Sequence, residues 1–208
     1  VKQAPCIKKN EAFKTSGQVQ YVAQNGNFRK KGLEYTGALE ILKVILSYDY
    51  LWINLRVKGG AYGCMSGFTR NGESFLVSYR DPHLKRTLEV YQGVPDYIRA
   101  FEADEREMTK YIIGTISNKD VPRTPQMQGS ISKTAYFSNV TEDMLQKERN
   151  QILGAQKEDI QKLAALVEAV LSDDQICVVG SETAIEKAED VFMLSLIHIS
   201  EPTRHSLI

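Results

Sequence analysis

Arg56 and Tyr62 stand six residues apart in the run RVKGGAYG, with Gly59 and Gly60 between them. A guanidinium carries its donors in a planar fork and a phenol carries one O–H, so together they can bind peptide carbonyls or steady an oxyanion. Adjacent glycines occur where the backbone needs positive φ or where another group must come close. The residues alone allow two readings. In one, Gly59 and Gly60 end a helix and aim Arg56 and Tyr62 at a common surface. In the other, Gly59 caps the helix, Gly60 and Gly63 relieve crowding, and Tyr62 packs within a sheet.

Other chemistry is sparse. The chain has three histidines, His83, His198 and His205, and no His-Glu-x-x-His, His-x-x-Glu-His, Gly-x-Ser-x-Gly, P-loop or Gly-x-Gly-x-x-Gly sequence. An imidazole-based zinc site needs at least two histidines. His83 follows a proline at an expected helix start, and the other two lie in the tail set aside below, so no metal ligands are assigned. Glu102, Asp104, Glu105 and Glu107 alternate with basic residues in FEADEREMTK, the pattern of a solvated helix face. Cys6, Cys64 and Cys177 are odd in number and far apart, which excludes a disulfide framework and fits a reducing compartment. Cys64 and Cys177 lie in apolar runs and are expected to be buried thiols.

The elements that must position Arg56 and Tyr62 follow from periodicity. GQVQYVAQ (residues 17–24) alternates as a strand does. A long helical pattern runs from about Tyr35 to Val57, with Ala38, Leu42, Ile45, Leu46, Trp52, Ile53 and Leu55 on its apolar face, and the glycine pair stops it. AYGCMSGF and ESFLVSYR flank a hairpin turn at Asn71-Gly72. Asp81-Pro82 opens a helix over about 83–101, and another spans about 104–117. NKDVPRTPQMQG, with two prolines, reads as a loop before a helix from near Ile131. Thr141 caps a helix through Leu153, and Asp159 opens one whose apolar face is Ile160, Leu163, Leu166, Val167 and Val170. DQICVVG is a buried strand, and Ser181 caps a last helix. This order predicts an α+β fold, a mostly antiparallel sheet with helices packed on one face.

The 208 residues suffice for one substantial core, and 26 basic against 26 acidic residues give zero net charge. That balance speaks against nucleic acid and polybasic membrane contacts, and no apolar run reaches the length of a bilayer span. Residues 194–208, beginning LSLIHISEPTR, break every preceding pattern. Leu194 to Arg204 resembles the translation of a transposase sequencing adapter, so 194–208 is expected to be an artefactual tail. Residues 1–16 are expected to be a lead-in from a preceding linker and 17–193 a single domain. The missing initial methionine suggests a fragment.

The stretches LRVKGGAYGCMSGF, NVTEDMLQKERNQILGAQKEDIQKLA and DQICVVGSE resemble the last domain of the presequence proteases, over about Glu11 to Phe192. These are zinc metallopeptidases of the pitrilysin/insulinase (inverzincin) class. The resemblance implies homologous α+β domains forming two bowl-like halves around a closed chamber. It implies zinc as the cofactor of the intact parent, bound by a first domain absent here, and none bound by this chain. It also implies an arginine and a tyrosine of the last domain that touch the substrate backbone beside the scissile bond. Those roles fall on Arg56 and Tyr62, with Gly59 and Gly60 permitting the turn between them. The chain is then expected to be the non-zinc-binding domain of an endopeptidase for short unfolded peptides, silent alone. Its expected partners are the N-terminal zinc-binding half and peptide substrates, without nucleic acid or membrane. The expected compartment is the cytoplasm of a bacterium, or an organellar matrix in a eukaryote. The alternative is a non-catalytic scaffold subunit of a processing-peptidase-like assembly, which has no need of the Arg56–Tyr62 pair. A general peptide-binding module rests on fold analogy alone.

Overall fold

The computed structural model describes residues 10–192 and the backbone of residues 196–198. Strand β1 (Glu11–Thr15) precedes β2 (Gln20–Asn27), so the lead-in expected over 1–16 contains a strand. The polar residues of EAFKT hide it: only Ala12 is fully buried, and no clear alternation marks the segment. Helix α1 (Ala38–Tyr48) follows, and then the hairpin β3 (Gly63–Phe68) and β4 (Glu73–Asp81) forms about Asn71-Gly72. Late in the chain come β5 (Gln175–Ser181) and the short β6 (Leu196–His198).

The strand order is β3-β4-β2-β5-β1-β6. The ladders from β3 to β5 are antiparallel, whereas β1 runs parallel to both β5 and β6. The sheet is therefore mixed, not mostly antiparallel as its sequence predicts. The difference originates in β1, whose return crossing to β5 passes through most of the chain. The role of the tail 194–208 lies outside the described residues, apart from the backbone pairing of 196–198.

One face of the sheet is covered. Val22, Leu76, Ile176 and Val178 point into a core shared with Leu39, Ile41, Leu42, Ile45 and Leu46 of α1, all buried. Each such side chain contributes roughly 1.5–3 kcal/mol. The opposite face stays open: Tyr21, Met65, Phe75 and Cys177 are exposed.

The helical region is more broken than its periodicity suggests. The pattern over 35–57 divides at Asp49, whose φ −107 and ψ −83 leave the helical range, and resumes as a π-helical turn over Trp52–Val57. Tyr50 fixes the break by donating its hydroxyl to the Val90 carbonyl at 3.0 Å. The wider turn rotates Trp52 and Ile53 out of the expected apolar face, so both are exposed while Leu55 stays buried. The expected helix over 83–101 is two, α2 (Lys85–Gln92) and α3 (Val94–Arg99), divided at Gly93 before Pro95. Asp81 does not cap α2, whose N-cap is Leu84 without a side-chain hydrogen bond; its carboxylate instead holds the preceding turn, accepting from the His83 N–H at 2.9 Å and the Thr87 hydroxyl at 2.6 Å.

Helix α4 (Glu105–Lys119) is held by an Asp104–Glu107 capping box. Helix α5 (Pro125–Phe137) begins inside the segment read as a loop. There Pro125 occupies the first turn and the Thr124 hydroxyl accepts from the Met127 N–H, so proline opens this helix instead of barring it. Thr141 caps α6 (Glu142–Leu153) as expected. The next helix is α7 (Lys157–Gln161) and α8 (Ala164–Leu171), in which Ile160, Leu163, Leu166, Val167 and Val170 are buried. Helix α9 (Glu182–Glu186) follows Ser181, whose side chain makes no capping hydrogen bond.

Candidate functional site

The π turn carries Arg56 to the surface and then reverses direction within three residues. Gly60 makes the reversal, with φ +78, and its N–H donates to the Arg56 carbonyl at 2.9 Å. Ala61 donates to the Leu55 carbonyl at 2.9 Å, so the last helical carbonyls are satisfied. Gly59 is buried: a Cβ there would sit 2.4 Å from the Leu55 carbonyl oxygen. The pair thus requires glycine twice, once for close approach and once for a left-handed backbone.

Tyr62 enters the sheet edge with its N–H donating to the Arg80 carbonyl at 3.2 Å. It does not pack within the sheet; it is 58% exposed. The Arg56 Nη1 donates to the Tyr62 carbonyl at 2.6 Å. The same guanidinium lies 4.3 Å from the centre of the Trp52 ring and 5.6 Å from that of Tyr62. On the far side, Tyr79 lies 5.8 Å from Tyr62, ring to ring, and is accommodated by Gly63 opposite it in the ladder. Arg56 and Tyr62 are therefore side by side and open to solvent, at one end of the uncovered sheet face.

The arrangement offers a phenolic O–H and most of a guanidinium fork as unused donors beside an apolar surface. Such a group suits a carbonyl oxygen, and it suits better an oxygen that gains negative charge. Nearby, burial pushes the Cys64 thiol up to about 11, with the Arg56 charge opposing in part, so this half-buried thiol stays protonated and inert at neutral pH. Cys177 is exposed, contrary to expectation, because position 177 of β5 points to the open face; residual burial and then Glu11 raise its thiol. Cys6 lies outside the described residues.

The acidic residues of FEADEREMTK and His83 lie at the surface, as the sequence implies. Glu102 pairs with Lys157, Asp104 and Glu107 cap α4, and His83 is exposed. Among the described residues no group of three or more His, Cys, Asp or Glu is placed to hold a metal ion, and no helix is long and apolar enough to cross a membrane. The described side chains do not fit a zinc centre. Three neighbours of the Arg56–Tyr62 pair escape the sequence reading: Trp52 beside Arg56, and Tyr79 and Arg80 beside Tyr62. Arg80 breaks the alternation of ESFLVSYRD, since Tyr79 and Arg80 both face outward before the buried Asp81, and that break is the available signal.

The profile of the PreP C-terminal domain family matches residues 10–183. Protein HypA of Clostridium perfringens is 50% identical over 185 residues, covering 89% of this chain and 19% of the relative. Presequence protease 1, chloroplastic/mitochondrial, of Arabidopsis thaliana is 34% identical over 184 residues, covering 88% and 16%. The chain thus spans less than a fifth of these relatives. Among solved structures, pitrilysin superposes with a TM-score of 0.56 at 18% identity over 93% of this chain and 21% of that one. A peptidase M16 inactive domain from Pseudomonas fluorescens gives 0.56 at 17% identity over 87% and 46%. Those two likenesses concern the fold.

Proposed function

The chain belongs to the PreP C-terminal domain family, and from that premise we propose that it is the non-zinc-binding last domain of a zinc metalloendopeptidase acting on short unfolded peptides. The observation that carries this reading is the solvent-exposed pairing of Arg56 and Tyr62 at the end of an open sheet face. In the parent, that face forms one wall of the chamber and closes it against the N-terminal half. In this reading zinc is held by that half, as the resemblance to the presequence proteases implies.

The work of this chain is recognition and charge stabilisation. A peptide lying along the open face offers its carbonyl oxygens to the Tyr62 hydroxyl and the free Arg56 N–H groups. As water adds to one such carbonyl, negative charge grows on its oxygen, and both hydrogen bonds strengthen. The Arg56–Tyr62 and Arg56–Trp52 contacts hold the donors in place beforehand, so little reorganisation accompanies the step. A scaffold role gives these exposed groups nothing to do. The compartment follows the parent: cytoplasm in a bacterium, an organellar matrix in a eukaryote.

The test is made in the intact parent. Tyr62→Phe and Arg56→Ala should each lower turnover of a short peptide by roughly a hundred- to thousandfold, the cost of one oxyanion donor. Zinc content, read by elemental analysis, should not change. Undiminished cleavage by both variants overturns the assignment.

A further inference from the structure

We propose that Arg80 is a positioning residue for the Tyr62 phenol, a role that rests on the reading of Tyr62 as a substrate donor. Arg80 touches Tyr62 twice: its carbonyl accepts the Tyr62 N–H at 3.2 Å, and its guanidinium carbon lies 5.5 Å from the Tyr62 ring centre. With Arg56 at 5.6 Å, the ring is held by two cations. Arg80 adopts φ +49, a left-handed conformation that a non-glycine residue keeps only where its surroundings impose it. The reason lies in the ladder. The register of β4 against β2 slips between the pairs Gln20–Asp81 and Val22–Ser78. Through this bulge Tyr79 and Arg80 both face outward, and Asp81 returns to the buried side, where its carboxylate accepts from the His83 N–H and the Thr87 hydroxyl. A regular strand would put residue 80 on the covered face, away from Tyr62. No ion pair among the described residues uses Arg80, so its charge is not spent on a surface carboxylate.

The experiment is a double-mutant cycle in the intact parent, using Arg80→Met, Arg80→Lys and Tyr62→Phe. Arg80→Met should lower kcat roughly two- to thirtyfold, the span of one cation–π contact, with KM within about twofold. Arg80→Lys should restore part of the loss. In the Tyr62→Phe background, Arg80→Met should cost nothing further, because the group it positions is gone. Arg80→Gly, which relaxes the backbone, should lose as much kcat as Arg80→Met, separating the guanidinium from the strand geometry. If Tyr62→Phe is impaired while Arg80→Met is fully active, or if the two losses simply multiply, the positioning role is wrong and the donor role of Tyr62 stands. If Tyr62→Phe itself is fully active, both fall.

Discussion

The Arg56 guanidinium bonds the carbonyl of Tyr62 at 2.6 Å while lying 4.3 Å over Trp52. One side chain thus ties the π turn, the glycine reversal and the sheet edge together. Trp52 is the single tryptophan of the chain, which makes its fluorescence a direct readout of this contact. Arg56→Met should change Trp52 emission while the far-ultraviolet circular dichroism stays the same, with a stability loss of about 0.5–1 kcal/mol. Arg56→Lys should give an intermediate spectrum, since it keeps a charge and loses the planar stack. Identical emission from all three proteins would show that the stack does not form.

The two central glycines should differ in cost. Gly60→Ala forces a Cβ into a left-handed residue and should lose about 1–2 kcal/mol. Gly60→Asn should lose less, because asparagine tolerates that region. Gly59→Ala pushes a methyl against the Leu55 carbonyl oxygen, a backbone atom that cannot swing away, and should cost at least as much, about 1–3 kcal/mol. Urea unfolding of the chain measures the order, and equal midpoints for Gly60→Ala and wild type would contradict the turn geometry.

Much of this was legible in the sequence because local rules and the fold agree there. The Asn71-Gly72 hairpin, the Thr141 cap and the glycine stop each rest on neighbours a few residues away, and each appears where expected. What escaped depends on distant partners. Strand β1 (EAFKT) shows no alternation of polar and apolar residues and becomes a strand only beside β5, more than 150 residues later, and with it goes the mixed character of the sheet. The π turn that exposes Trp52, and the bulge that turns Arg80 outward, are single-residue departures from a period, so periodicity averages over them. The pairing of Arg56 with Tyr62 was visible as spacing; the second guanidinium was not, since it arrives from another strand.

Away from the site, the hairpin is tied to α6 by Arg70 and Glu148, whose carboxylate oxygens accept from Nε at 2.5 Å and Nη2 at 2.7 Å. The Glu148 side chain is only 9% exposed, against 38% for Arg70. Arg70→Met therefore leaves a largely buried carboxylate without its cation and should cost about 1–3 kcal/mol, toward the lower end because Arg70 is partly solvated. Joint replacement by Arg70→Met and Glu148→Met should cost less than the sum of the single changes, since neither leaves a stranded charge. Urea titrations of the three variants test this, and strict additivity would mean the pair is not coupled.

The two described thiols should report the two faces of the sheet. Cys177 is exposed on the open face, whereas Cys64 is half-buried and its thiol is pushed to about 11 from an ordinary value near 9. Iodoacetamide at pH 8 should therefore modify Cys177 first, with Cys64 reacting appreciably only near pH 11 or in urea, as followed by peptide mass spectrometry. The same shift fixes a sign for stability. Between about 9 and 11 the folded chain keeps a proton that the unfolded chain has lost, so the Cys64 contribution is complete below about 9 and declines as pH rises through 11. Cys64→Ala should remove that part of the alkaline decline, compared with wild type in urea midpoints measured from pH 8 to 11. If Cys64 were alkylated ahead of Cys177, or if the Cys64→Ala curve ran parallel to wild type, position 64 would not face the covered side of β3, and the orientation of Tyr62 at the head of that strand would have to be redrawn with it.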